Sequence, residues 1–199
     1  MPSPAPAEIY QLLRNLTSPV VAITSARGAK HNAMIIDSAI RASIVPDIPR
    51  LAIFIHKFNF SHELIFETGR FALHLLRTDQ YDLIHHLGFQ SGRALDKLAS
   101  VPHRAGTTGV PILDECYAHF ECAVVNAMDT GSSTCFLGDV VAVGFGARAA
   151  AQGDVMTAGY FREHLPPAWR PEYERHLKAA QDHARATSRN IAPLDWSRR

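Results

Sequence analysis

Two short polar stretches carry the residue types that can hold a polar or anionic ligand, the second being the one suited to an anion. The first, Asn32-Ala33-Met34-Ile35-Ile36-Asp37-Ser38, adds an amide, a carboxylate and a hydroxyl to a run of backbone amides. The second, Lys57-Phe58-Asn59-Phe60-Ser61-His62, adds a cation, an amide, a hydroxyl and an imidazole. Ser61 precedes Glu63 and the apolar pair Leu64-Ile65, so it stands where a helix opens. A helix opening presents unpaired N–H groups and attracts phosphate. Each residue also has a plain structural role open to it. Asn32 suits a turn, Ser61 suits a helix N-cap, and Lys57 suits a solvated surface.

The elements that must position these stretches are short. Apolar runs at residues 20–24 and 51–55 bracket the first stretch, with a Pro-containing turn at 46–49 before the second run. Residues 25–30 read as a hairpin-like turn, and 71–76 as another strand. Ser61 as N-cap and Gly69 as terminator bracket a two-turn helix. Thr78 or Asp79 caps the next helix, which runs to Gly88, and 94–99 form a third. Residues 101–111 read as loop from their Pro, Gly and Thr content. In 117–125, Ala118, Phe120, Cys122 and Val124 share one face, with His119 and Glu121 on the other. Residues 135–145 form a central strand and 155–161 a last strand. Helical spacing marks 7–16 as a short amphipathic helix. The charged stretch 171–190 is a solvated C-terminal helix, pairing Glu172 with His176 and Glu174 with Lys178. Short strands with helices between them favour a mainly β fold, a β-barrel with peripheral helices, over a parallel α/β sheet.

Composition narrows the function classes. The 199 residues suggest one domain spanning 1–199, and 47% hydrophobic with 20% charged residues is ordinary for a soluble core. A formal charge of +1 gives no reason to expect nucleic acid. No apolar run nears the roughly 18 residues of a membrane span. Three cysteines argue against a disulfide framework and for a reducing cytoplasm. The eleven histidines show no metal-ligand spacing, since the neighbours His85 and His86 diverge on a helix, so no metal is expected. No Gly-x-Gly-x-x-Gly, P-loop or Gly-x-Ser-x-Gly pattern occurs.

Taken in order, Asn32-Ala33-Met34, the turn at 46–49, Ser61-His62-Glu63-Leu64-Ile65 and the strand from Gly131 through Phe136-Leu137-Gly138-Asp139-Val140 resemble the flavin reductase-like, FMN-binding split-barrel family, of flavin reductase and flavoredoxin type. The resemblance covers roughly residues 18–145. It implies a split barrel that binds FMN non-covalently as a homodimer, with the flavin near the subunit interface. It also implies hydride transfer from NADH or NADPH to FMN, the reduced flavin passing to a monooxygenase or other electron acceptor. By the same resemblance, Asn32 to Ser38 meet the ring and ribityl groups, and Lys57, Asn59 and Ser61 hold the phosphate. His62 and Tyr160 then wall the nicotinamide site, and no catalytic residue is assigned. The chain departs from the family pattern at Ile35, Ile36 and Asp37, where Thr or Ser is usual, and at Ser133, where a His is usual. An FMN-binding electron carrier that uses no nicotinamide is the alternative, and a barrel that has lost its flavin is a third reading.

Overall fold

In the computed structural model, which describes residues 13–16, 18–147, 155–187, 191–194 and 196, β1 (Val21–Arg27) and β2 (Lys30–Ile36) form a hairpin. Gly28 takes a φ of 57° in its turn, a conformation that costs glycine no steric strain. Five further strands follow: β3 (Ala39–Arg41), β4 (Arg50–His56), β5 (Arg70–Leu75), β8 (Ala118–Asp129) and β9 (Ser133–Phe145). Among the described residues these seven pair in the order β2-β1-β5-β8-β9-β4-β3, every neighbour antiparallel, and the sheet curls into a half-barrel. The mainly β split-barrel expectation holds. No helix among the described residues is long and apolar enough to cross a membrane.

Strand alternation sends the two faces of the sheet to two cores. Val21, Ile23, Ile36, Ile53, Ile55, Phe71, Leu73 and Phe136 fill the concave side. Ile65 and Phe66 of α1 (Phe60–Thr68) join them, as does Trp196 from the end of the chain. Val20, Ala22 and Ala33 face the opposite side, where α2 (Tyr81–Gly88) and α3 (Ala158–Glu163) bring Ile84, Leu87 and Phe161. Each fully buried aliphatic or aromatic side chain contributes about 1.5–3 kcal/mol relative to an exposed one. With both faces covered, β1 reads as a continuous apolar run.

Several local expectations are corrected. The N-cap of α1 is Asn59, and Ser61 lies inside the first turn, fully buried; Gly69 does terminate the helix, at φ 66°. The cap of α2 is Gln80, because Asp79 is engaged by Arg77 at 2.9 Å. Residues 94–99 are turns. The stretch read as loop contains a hairpin of β6 (His103–Ala105) and β7 (Pro111–Leu113). It covers β8, so His119 and Glu121 are buried as well: Glu121 accepts from the Thr107 and Thr108 amides at 3.1 and 2.7 Å. The expected last strand is only two bridging residues, Val155 and Thr157. Thr157 then caps α3 by accepting from Tyr160 N, and the chain turns helical. In α4 (Arg170–Thr187), Glu172 does meet His176 at 3.6 Å, whereas Lys178 pairs with Asp182. The helix expected at 7–16 falls mostly outside the described residues.

Candidate functional site

β2 is an edge strand: β1 pairs with one side of it, and no strand among the described residues pairs with the other. An edge leaves alternate N–H and C=O groups available to a partner or ligand. Near the start of this strand, Asn32 Nδ2 donates to Ser61 Oγ at 2.9 Å, which ties β2 to the first turn of α1. Asn32 Oδ1 is buried and has no hydrogen-bond partner among the described residues. The 91–93 segment passes closely beside it, since a Cβ on Gly92 would fall 1.9 Å from that oxygen. Only glycine fits there. Arg93 follows, paired with Glu63 and set over the Phe60 ring at 5.4 Å. Lys97 holds the end of this segment in place, its buried Nζ donating to Leu87 O at 2.7 Å, and burial pushes its pKa down to about 8.

At the far end of β2, Ile35 and Ile36, with Asp37 just after the strand, line a groove of about 590 Å³, within the size range of small-ligand sites. Its floor includes Ile84, Phe89 and Phe161, and its far wall is α4. Polar groups converge at one side. Asp37 lies 3.9 Å from Arg162 Nη1, and Arg162 Nη2 donates to Arg14 O at 3.2 Å. His56 reaches the groove from the end of β4, its Nδ1 2.9 Å from Ser133 Oγ, its cross-strand partner. Burial lowers the His56 pKa, so the ring is neutral near pH 7. Apolar walls with a few fixed polar groups suit a planar, amphipathic ligand.

The structure distributes the sequence-selected residues unevenly. Asn32 and Ser61 meet; Ile35, Ile36 and Asp37 share the groove. Ala33 is buried in the outer core and Met34 packs on the inner one. Ser38 locks β3 to β4 by donating to Phe54 O at 3.0 Å. Lys57 is held by Asp129 at 2.7 Å, and that carboxyl sits below its usual range because of Lys57. Asn59 caps α1 by position, without a side-chain bond. His62 lies 2.8 Å from Thr134 Oγ1, and burial, aided by Lys57, pulls its pKa down to about 4. The groove residue near Tyr160 is its neighbour Phe161, while Tyr160 itself stacks on His164 at 4.0 Å. His85 and His86 part, one to Glu172 and the other to Lys97 O.

Sequence reasoning missed His56, Gly92, Arg93 and Arg162. The Ser91-Gly92-Arg93 step held a signal, a glycine followed by a cation. His56 and Arg162 held none, because only the curl of the sheet and the packing of α3 bring them to β2.

Comparisons with known proteins bear on the fold and the family. A high molecular weight rubredoxin of Moorella thermoacetica is 31% identical over 153 residues, which is 76% of this chain. The chain spans 64% of that relative's length, less than two thirds. An NADH-dependent FAD reductase of Streptomyces globisporus is 27% identical over 151 residues, covering 74% of this chain and 80% of the relative. The crystal structure of an FMN-binding protein from Thermus thermophilus with bound p-hydroxybenzaldehyde superposes with a TM-score of 0.62 at 29% identity, over 74% of this chain and 79% of that one. The flavin reductase like domain model matches residues 13–168, from before β1 to the end of α3 and beyond, and so takes in the edge strand, the α1 start and most of the groove. The chain is a member of the flavin reductase-like domain family.

Proposed function

We propose that the chain binds FMN non-covalently and serves as an NADH- or NADPH-dependent flavin reductase. One observation carries this reading: a single edge strand, β2, runs from the Asn32–Ser61 junction at a helix start to the groove at Ile35–Asp37. A flavin needs both features, an anion-binding end for its phosphate and an apolar slot for its ring.

In this reading the first turn of α1, with Asn59, Ser61 and His62, meets the phosphate end, and Arg93 adds a nearby cation. Lys57 contributes through the Asp129 pair, which holds the loop before α1 in place. The β2 edge from Asn32 through Ala33, Met34, Ile35 and Ile36 to Asp37 and Ser38 offers backbone groups to the ring edge, and Asp37 accepts from a ring N–H. His56 supplies the imidazole that the family pattern carries at position 133. The bound flavin supplies the hydride-accepting chemistry. The protein orients it, screens it from water and leaves one face open to a nicotinamide.

The same reading makes the protein a homodimer in the cytoplasm that passes reduced flavin to a monooxygenase or another acceptor. The relative from Streptomyces globisporus supports NADH as donor. Val141, Val143 and Phe145 support self-association, being 53, 66 and 70% exposed on alternate positions of β9.

The test is the visible spectrum of purified protein after FMN addition and desalting, followed by anaerobic NADH. A retained flavin spectrum that bleaches with NADH is the expected result. A colourless protein overturns the reading; a yellow one that bleaches only with dithionite replaces it with the electron-carrier alternative.

A further inference from the structure

Asp37 and Arg162 stand side by side in the lining of the groove, and both have hydrogen-bonding capacity to spare. Asp37 Oδ2 and Arg162 Nη1 lie 3.9 Å apart, near enough for the charges to attract and too far for a hydrogen bond. Arg162 commits Nη2 to Arg14 O at 3.2 Å. Its Nε and Nη1, like the Asp37 carboxylate, have no hydrogen-bond partner among the described residues. The Arg162 side chain is only 20% exposed, and a hydrogen bond made there counts for more than one in open water. The backbone holds both residues in place. Arg162 sits in the last turn of α3. Asp37 O accepts from Ser18 Oγ, and the next carbonyl, Ser38 O, accepts from Phe54 N at 3.0 Å.

A carboxylate beside a guanidinium is an acceptor beside a donor. Its complement is a planar group that carries an N–H next to a carbonyl. The pyrimidine edge of a flavin is such a group, an imide whose N3–H lies between two carbonyls. The opposite edge of the ring carries only methyl groups, and would strip water from both charges without replacing it. Ile35 and Ile36, next to Asp37, have no polar side-chain atom, so the pair supplies the side-chain recognition at this end of β2. We propose that Arg162 is a specificity-determining residue of this site: its free N–H groups donate to a flavin carbonyl beside the N3–H that Asp37 accepts. This rests on the flavin reading above, and it settles which edge of the ring turns toward Asp37. The contact lies in the plane of the ring and takes up neither face, so one face stays open to a nicotinamide.

The test is the affinity of the full chain for FMN and for N3-methyl-FMN, read by flavin fluorescence. Wild type is expected to bind the methylated flavin at least about tenfold more weakly, since it loses a hydrogen bond to a charged acceptor. Asp37→Ala abolishes that preference. Arg162→Met weakens FMN by at least about tenfold and keeps the preference. Arg41→Met removes the same charge from an exposed position on β3 and leaves FMN affinity unchanged, which separates the contact from net charge. Equal binding of the two flavins by wild type overturns the proposal, while flavin binding itself stands. So does a preference that survives Asp37→Ala, or an FMN affinity that Arg162→Met leaves unchanged. Wild type that binds neither flavin overturns the flavin reading, and this proposal with it. The comparison of the two flavins in wild type needs no substitution, so it decides even where a variant fails to fold.

Discussion

Asn32 on the edge strand and Ser61 in the first turn of α1 are 29 residues apart in sequence, and their side chains share a buried hydrogen bond of 2.9 Å. That bond sets the helix start against the strand edge, and with it the phosphate end of the proposed flavin site. Replacing Asn32 with Ala leaves the Ser61 hydroxyl without its buried donor, which costs roughly 1–3 kcal/mol of stability. FMN affinity falls with it by at least about tenfold, as does that of the Lys57→Ala, Ser61→Ala double variant. Urea unfolding and fluorescence titration measure the two effects. Unchanged FMN affinity in both variants removes these residues from the site.

Gly92 makes a second, sharper prediction. A methyl group added there lands 1.9 Å from Asn32 Oδ1, so either the 91–93 segment or the strand must shift. Gly92→Ala is expected to destabilise by about 1–3 kcal/mol through overpacking. It also lowers FMN affinity, because Arg93 moves with its neighbour. Normal stability and normal binding together mean that the segment yields freely.

The buried histidines give the fold a pH dependence of known sign. Burial lowers the pKa of His62 to about 4 and that of fully buried His74 to about 3, against 6.5 for a free histidine. Below pH 6.5 the unfolded chain takes up protons that the folded chain refuses, so stability falls as pH drops toward those values. The slope is already half its maximum at pH 6.5 and fades about a unit above it. Urea midpoints at pH 8.5, 7.5, 6.5, 5.5 and 4.5 should be nearly flat between the first two and then decline with increasing slope. His62→Gln should reduce the decline, and a flat profile down to pH 4.5 contradicts the buried, neutral assignment.

The Glu121 carboxylate fastens the β6–β7 hairpin to the sheet through both Thr107 and Thr108, including the Thr108 hydroxyl at 2.6 Å. Hydrogen bonds to a charged acceptor contribute about 1.5–3 kcal/mol. Glu121→Gln keeps the shape but turns one acceptor oxygen into a donor facing other donors. Faster amide hydrogen exchange across 103–113, with little change in β1 and β2, is the expected result.

How much of this was legible beforehand depended on the range of the interactions involved. The β1–β2 hairpin, the Gly69 terminator and the C-terminal helix follow from alternation, turn chemistry and helical spacing within a few residues, and the sequence alone determined them. The order of Asn32-Ala33-Met34, Ser61-His62 and the strand after Gly131 likewise determined the family. Local reading failed where two local preferences competed. Asn59 outcompeted Ser61 as the cap because Ser61 is needed inward, toward Asn32. Thr157 opened a helix where an apolar run suggested a strand.

The site itself was decided by tertiary structure. Residues 35–37 fall in the groove while Asn32 meets α1 because they stand at opposite ends of the strand, and the sheet's curl and the helices packed on it determine what each end meets. Nothing local in the sequence brings His56, Arg162 or α4 to β2. Their arrival depends on seven strands closing in one order and on helices from residues 81, 158 and 170 onward docking on the outer face. The chemistry of each residue was written in its type, and its neighbours were chosen by packing across the whole chain.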